Sequence, residues 1–282
     1  MRNWKETLFR VLFALCACVS IAAVALICVF LFVNGIPAMA EIGVFDFLLG
    51  QKWKPSADLY GIFPMIVGSI YVTGGALIIG VPTGILTAIY LARFCPAKLY
   101  RFLKPAVELL AGIPSVVYGF FGLVVIVPFI REHLGGTGMS VLSASIVLGV
   151  MILPSIIGVA EPALRAVPEA YYEGARALGA SHERGVFFTV LPAAQSGVLA
   201  GIVLGIGRAI GETMAVIMIA GNQPVIPKNA LKGVRTLTAN IVMEMGYAAD
   251  LHREALIATA VVLFVFILLI NSLFSAIKRR MA

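Results

Sequence analysis

The chain has 282 residues, of which 61% are hydrophobic and only 12% are charged, and its mean hydropathy is +1.02. These values exclude an ordinary soluble globular domain and are typical of a protein that crosses the membrane several times. The net charge of +7 is not arranged as a basic stripe with interleaved aromatic residues, so we expect no nucleic-acid partner. Membrane lipid is the expected surrounding of most of the chain.

Six apolar runs are long enough to cross a hydrocarbon core of about 30 Å as helices. They are residues 11–33, 62–92, 105–130, 140–160, 192–220 and 255–277. The sequence therefore predicts an all-α integral membrane protein with six transmembrane helices. We divide it into 1–60, with an N-terminal tail, the first transmembrane helix and an outer loop, and 61–282, a core of five transmembrane helices.

The first apolar run has two interpretations. Basic residues precede it, and Ala38-Met39-Ala40 resembles a signal-peptidase site. However, its 23 residues exceed the core of a signal peptide, which is usually about 7–15 residues. We therefore expect a retained helix, and we expect it to be peripheral and to face lipid because it carries no ionisable residue beyond its N-terminal flank.

The distribution of basic residues predicts the orientation. Alternate connections, starting with the N-terminus, carry 13 Lys and Arg residues, whereas the other connections carry 7. Positive residues favour the cytoplasmic side, so both termini and the 161–191 connection are predicted to be cytoplasmic. Arg2 and the basic residues of 278–280 belong to this count.

Cysteine and histidine give no sign of a disulfide or a metal site. Cys16, Cys18 and Cys28 lie in the first apolar run, and Cys95 lies in a predicted cytoplasmic connection. The histidines at 133, 182 and 252 share no ligand spacing.

Two outer segments contain recognisable local patterns. In residues 34–60, Trp53 is interpreted as an aromatic anchor at the membrane interface. In residues 221–254, apolar residues recur at helical spacing and predict an amphipathic helix at the outer surface. These residues are Leu237, Ile241, Val242, Met245 and Ala248.

Glycines spaced by four occur in two of the spans. The pairs are Gly80 and Gly84, Gly201 and Gly205, and Gly207 and Gly211. Small residues at this spacing allow close helix packing in lipid, so we expect a tightly packed core.

Residues 173–192 predict a short helix, a glycine turn, a second helix and a proline. Gly179 can adopt the left-handed conformation that ends one helix, and Ser181 can cap the next. Pro192 suits the first turn of the fifth span. On its own, such a segment could simply cover the ends of helices.

The same residues resemble the EAA signature of ABC-importer permeases, which reads Glu-Ala-Ala, three residues, Gly, nine residues, Ile, one residue, Leu-Pro. Here Gly174 replaces the first Ala and Thr189 replaces the Ile. The resemblance implies coupling to a cytoplasmic ATPase through the matching positions. These are Glu173, Gly174, Ala175, Gly179, Leu191 and Pro192.

Arg208 and Glu212 are the only charged residues inside the fifth apolar run. An arginine near the bilayer centre costs about 2.5–3.5 kcal/mol, so it is expected to face protein or water. A helix would place the two residues one turn apart, where they could form a structural ion pair. Alternatively, the guanidinium could meet an anionic substrate. Glu108 and Glu161 are expected near helix ends, where they would lie at the membrane interface or take part in docking of the ATPase.

Longer strings resemble the phosphate-specific importer permeases, and the PstC subunit more than PstA. They are 60–64, 111–119 and 207–213, with Trp53-Lys54-Pro55, 221–222 and 236–238 on the PstC side. The resemblance implies a type I ABC-importer permease fold. It also implies three kinds of partner: a second, PstA-like permease, a PstB-like ATPase dimer and an extracytoplasmic, PstS-like phosphate-binding protein.

Ser115, Tyr118 and Thr213, which lie in these strings, could donate neutral hydrogen bonds to the anion, although hydroxyls inside membranes more often bond the backbone. The chain has no Gly-x-x-x-x-Gly-Lys-Ser/Thr loop, so we expect no ATP hydrolysis and no cofactor on this chain, with ATP and Mg²⁺ on the ATPase subunits.

Three alternatives remain open. The nearest is a permease for another oxyanion, such as sulfate, molybdate or phosphonate. A secondary transporter or channel would need no docking motif, and no inverted repeat is visible. An intramembrane enzyme would need a set of catalytic residues, and no span shows one.

Overall fold

The computed structural model describes residues 4–281. Arg2, one of the basic residues that predict the orientation, lies outside this range. Within this range, five helical runs are long and apolar enough to cross a membrane, and a bent pair of helices provides a sixth if it is taken as one span. The runs are Glu6–Ile42, Phe63–Phe94, Ser115–Leu134, Val141–Arg165, Asp250–Leu273, and His182–Ala193 with Gln195–Gly211. The prediction of an all-α membrane protein is confirmed.

The first helix, α1 (Trp4–Ile42), lies at the periphery. None of its most apolar stretch is buried, as expected for a helix that faces lipid. A short helix, α2 (Val44–Leu49), and a small hairpin of β1 (Trp53–Lys54) and β2 (Leu59–Tyr60) follow it. Trp53 pairs with Tyr60 in the antiparallel register of this hairpin.

The third helix, α3 (Phe63–Ile89), continues without interruption into a π-helical turn, Tyr90–Phe94. The predicted third span differs from the structure, because residues 105–112 belong to a separate helix, α4 (Ala97–Gly112). Pro114 disfavours helical backbone at the preceding residue, and Ile113 is indeed extended. The span itself consists of α5 (Ser115–Phe121), a π-helical turn (Gly122–Ile126) and α6 (Val127–Leu134).

The remaining helices complete the chain. They are α7 (Val141–Arg165), α8 (Glu169–Ala177), α9 (His182–Gly185), α10 (Leu191–Ala193), α11 (Gln195–Gly211), α12 (Met214–Ile219), α13 (Leu237–Glu244) and α14 (Asp250–Met281). A π-helical turn, Val186–Val190, joins α9 to α10.

The core is built where α3 and α11 both pack on α7 and also contact each other. Ile152 and Ile156 of α7 are fully buried between them. A Cβ added to Gly80 would lie 2.6 Å from Ile152, and one added to Gly205 would lie 2.9 Å from Ile156. The glycine pairs at 80/84 and 201/205 therefore permit this close approach, as predicted.

The third glycine pair behaves differently. A Cβ at Gly207 or Gly211 would meet nothing within 4 Å in the described part of the chain. Among the described residues, these two glycines therefore do not permit a close helix contact, contrary to the prediction.

Candidate functional site

The signature loop, residues 169–193, has the conformation that its sequence predicts. Gly179 ends the first helix with a φ of 86°, in the left-handed region. The hydroxyl of Ser181 accepts a hydrogen bond from the backbone N–H of Arg184 at 3.3 Å and so caps α9. Both local predictions are confirmed.

One face of the signature loop is buried and the other is open. Val186 and Val190 are fully buried against the ends of α3 and α7. On the open side, Leu178 is 91% exposed, and Glu173 is exposed without a hydrogen bond or ion pair in the described part of the chain. Both side chains are therefore accessible to a protein partner.

The predicted place of Pro192 is wrong. It does not start the fifth span but lies in α10, in the same run as α9, and α11 begins only after a bend of 73°. A proline ring clashes with the carbonyl of the residue four positions earlier, which here is Phe188 in the π-helical turn. Ala194 forms the turn between the two helices.

Arg208 lies near the middle of residues 195–219 and is partly buried. One of its guanidinium nitrogens, Nη1, donates a hydrogen bond to the Ser155 hydroxyl of α7 at 3.4 Å. Among the described residues, no carboxylate lies within ion-pair distance of Arg208. Most of its donor groups are therefore available.

The expected helical spacing of Arg208 and Glu212 is wrong, because α11 ends at Gly211. Glu212 has extended backbone with ψ of 129°, and its Oε1 accepts a hydrogen bond from the N–H of Ala215 at 3.2 Å. A carboxylate is favoured at this place because it satisfies a free N–H and complements the helix dipole at the start of α12. Span five is thus interrupted between Arg208 and Glu212.

The three predicted hydroxyl ligands are not equivalent. Tyr118 donates to the backbone carbonyl of Leu110 at 2.8 Å, and Thr213 donates to that of Gly211 at 3.2 Å. The hydroxyl of Ser115, the first residue of α5, has no hydrogen-bond partner among the described residues.

A buried carboxylate that the sequence did not single out joins the segments before α3 and after α12. In this group, the Glu244 network, Glu244 accepts hydrogen bonds from Trp53 Nε1 at 2.8 Å and pairs with His252 at 2.9 Å and with Arg235. Trp53 is only 7% exposed, so its interpretation as an interfacial anchor is wrong. The predicted helix at 237–248 is present as α13 (Leu237–Glu244), which buries polar Asn240 and Glu244 on one side and leaves Val242 51% exposed on the other.

A second charge cluster surrounds Glu161 of α7, whose side chain is 2% exposed. It pairs with Lys104 of α4 at 3.0 Å and with Arg165, and it accepts a hydrogen bond from Tyr100 at 3.1 Å. Glu108 is largely exposed and lies 3.8 Å from Lys104. Glu161 therefore joins α4 to α7.

No group of three His, Cys, Asp or Glu side chains within residues 4–281 is arranged to hold a metal ion. Two of the histidines have other partners that account for them. His182 bonds the Tyr172 hydroxyl at 2.6 Å, and His252 belongs to the Glu244 network.

Comparison with known proteins agrees with this architecture. Residues 80–282 match the family described as the binding-protein-dependent transport system inner membrane component. The chain belongs to this family. The match covers every helix from the second half of α3 onward, including the signature loop.

Relatives of this permease extend over nearly the whole chain. It is 39% identical to the probable ABC transporter permease protein YqgH of Bacillus subtilis, over 98% of this chain and 93% of that protein. It is 34% identical to the phosphate transport system permease protein PstC of Mesorhizobium japonicum, over 85% and 80%. It is 33% identical to PstC of Haemophilus influenzae, over 94% and 90%.

Solved structures show the same fold. A permease chain of the inward-facing MetNI methionine ABC transporter matches with a TM-score of 0.60 at 24% identity, over 82% of this chain and all of that one. A chain of a bacterial ABC transporter that imports alginate matches with a TM-score of 0.63 at 14% identity, over 99% of both. The protein is a multi-pass membrane permease with the type I ABC-importer fold.

Proposed function

We propose that this permease is a transmembrane subunit of an ATP-driven importer of inorganic phosphate. The observation that carries the proposal is Arg208, a permanent positive charge within the fifth span whose guanidinium has one hydrogen bond among the described residues, to the Ser155 hydroxyl. The PstC names of relatives that match 80% or more of this chain give the substrate class.

The geometry supports anion binding by Arg208. A guanidinium offers five N–H donors in a planar fork that suits two oxygens of one phosphate. Glu212 caps α12 and forms no ion pair with Arg208, so the charge is free to attract an anion into an otherwise apolar span. The hydroxyls of Tyr118 and Thr213 already donate hydrogen bonds to backbone carbonyls. The Ser115 hydroxyl has no partner among the described residues, so we retain Ser115 as the second, neutral ligand of the anion.

The signature loop supports coupling to an ATPase. Glu173 and Leu178 form an exposed, unpaired surface on a fixed helix–turn–helix, which can enter a groove of a partner. We place ATP and Mg²⁺ on a separate pair of ATPase subunits, because this chain lacks a phosphate-binding Gly-rich loop. The path is completed by a second, homologous permease, and a phosphate-binding protein delivers the anion on the outer side. Both termini and the signature loop are cytoplasmic in this arrangement.

The test is uptake of labelled phosphate by the assembled transporter. Arg208→Gln should abolish uptake while the complex still assembles, and Arg208→Lys should retain part of it because the charge remains without the fork. Normal rate and affinity in Arg208→Gln would rule out the role in the path. Competition by sulfate, molybdate or phosphonate as strong as by phosphate would instead assign another oxyanion.

The docking role has a separate test. Glu173→Lys and Gly179→Asp should leave the protein in the membrane and abolish ATP-driven uptake. Uptake at the normal rate in both variants would contradict the coupling role of the signature loop.

A further inference from the structure

The last turn of α3 contacts both helices of the signature loop. Arg93 and Phe94 are neighbours in the π-helical turn that extends α3. Arg93 reaches the first residue of α8, and Phe94 reaches the first residue of α9.

Arg93 connects three structural elements. Its Nη1 pairs with Glu169 Oε2 of α8 at 2.7 Å. Its Nη2 donates to the carbonyl of Leu164 at 3.0 Å and to that of Val167 at 3.3 Å, at the end of α7 and just beyond it. The Arg93 side chain is 11% exposed and that of Glu169 is 57% exposed, so water screens the two bonds to backbone carbonyls less than it screens the ion pair.

Phe94 fixes the second helix of the loop. Its ring packs edge-on against the His182 ring with 4.5 Å between the centroids. His182 Nδ1 lies 2.6 Å from the Tyr172 hydroxyl of α8. The two loop helices are therefore joined to each other and to α3 at one place.

The other end of α3 reaches the interrupted part of span five. Ser69 accepts a hydrogen bond from the backbone N–H of Leu237, at the start of α13, at 3.0 Å. Thr238 then donates to the carbonyl of Glu212 at 3.2 Å. A Cβ on Gly68 would lie 2.5 Å from the Arg235 carbonyl oxygen, so the two backbones are in close contact.

The two ends belong to a single helical run. Phe63–Phe94 has 32 residues and spans about 48 Å at 1.5 Å per residue. By contrast, the direct route from the signature loop into span five passes through the 73° bend at Ala194. A continuous helix transmits displacement along its axis better than two helices joined at a bend.

We propose that Arg93 is a positioning residue that ties the signature loop to α3, and that α3 carries the motion of the loop to α13 and the break at Glu212. The inference rests on the proposed function, since it needs an ATPase that moves the loop. It assigns that motion to a helix outside the EAA signature.

The test uses the complete transporter reconstituted in lipid. Arg93→Glu and Glu169→Arg each place like charges together, and the double variant restores opposite charges. Each single variant should lower the ratio of binding-protein-stimulated to basal ATPase activity about fivefold or more, the lower end of typical coupling effects. The double variant should recover part of the ratio, because it restores the ion pair but not the hydrogen bonds of Arg93 to the Leu164 and Val167 carbonyls. Thermal unfolding of each variant is measured in parallel, so that lost coupling is separated from lost stability. The matched control is Glu108→Gln, which removes an exposed carboxylate with one ion pair.

The outcomes are distinct. An unchanged ratio in Glu169→Arg, whose side chain is 57% exposed, would overturn the inference even if Arg93→Glu failed to fold. A ratio in Glu169→Arg that falls only as far as its thermal stability falls would also overturn it. If Gly179→Asp left uptake intact, the proposed docking of the signature loop would itself be wrong. If Gly179→Asp abolished uptake while Glu169→Arg left the ATPase ratio unchanged, only the route through α3 would be refuted.

Discussion

Glu244 accepts the indole N–H of Trp53 at 2.8 Å although 191 residues separate the two along the chain. The bond joins the hairpin before α3 to the end of α13. His252, at the start of α14, pairs with the same carboxylate oxygen. The two outer segments that the sequence presents as separate connections, 34–60 and 221–254, therefore share one buried network.

Trp53→Phe removes the indole donor and keeps an aromatic ring. We expect a loss of about 1–3 kcal/mol in the free energy of unfolding, because the buried carboxylate loses one of its hydrogen bonds. Trp4→Phe is the matched control, since Trp4 is 71% exposed on α1. Thermal unfolding of the purified protein measures both, and equal stability of the two variants would contradict a structural role of the Trp53 bond.

Glu161→Gln leaves Lys104 and Arg165 without their buried counter-charge. The expected loss is about 1–3 kcal/mol, because Lys104 and Arg165 lose their partner but remain 20% and 43% exposed to water. Glu108→Gln should cost less than about 1 kcal/mol, because the pair of Glu108 with Lys104 is exposed to water. Unfolding of both variants in the same detergent gives the comparison, and similar losses in the two would show that the Glu161 cluster is not buried as described.

Gly174 and Gly179 should respond in opposite directions to alanine. Gly174 lies inside α8 with free space around it, so Gly174→Ala should stabilise the helix by about 0.5–1 kcal/mol and preserve uptake. Gly179 has a φ of 86°, so Gly179→Ala should destabilise the turn by about 1–2 kcal/mol and reduce uptake. Stability and uptake are measured in parallel, and a loss of uptake in Gly174→Ala would contradict this reading of the helix.

Tyr118→Phe tests whether the Tyr118 hydroxyl stabilises the fold or binds the substrate. The hydroxyl is bonded to the Leu110 carbonyl across the break between α4 and α5, so its loss should lower stability by about 1 kcal/mol. The KM for phosphate uptake should not change. A raised KM with unchanged stability would instead indicate that Tyr118 binds the anion.

Local signals account for what the sequence predicted correctly. The signature loop depends on the left-handed turn at Gly179 and the cap at Ser181, and both need only neighbouring residues. The packing of α3 and α11 on α7 follows from glycines spaced by four in each helix. These features do not depend on distant parts of the chain.

The features that the sequence did not reveal depend on distant partners or on a break inside an apolar run. The sequence around Trp53 is typical of an interfacial aromatic residue, because its partner Glu244 is 191 residues away along the chain. The interruption at Glu212 leaves hydropathy unchanged, since α12 continues the apolar run. The end of α4, by contrast, had a visible signal in Ile113-Pro114, which restricts the backbone at Ile113.

The close packing of α1 on α14 has a consequence for how the peripheral helix is held. A Cβ at Gly35 would lie 2.7 Å from Val261, and Phe32 meets Phe264 edge-on with 6.0 Å between the ring centroids. Because none of the most apolar stretch of α1 is buried, its contact with α14 is its main attachment to the rest of the described chain. A larger side chain at Gly35 would meet the backbone of Ala258 as well as Val261 and would push α1 away from that attachment.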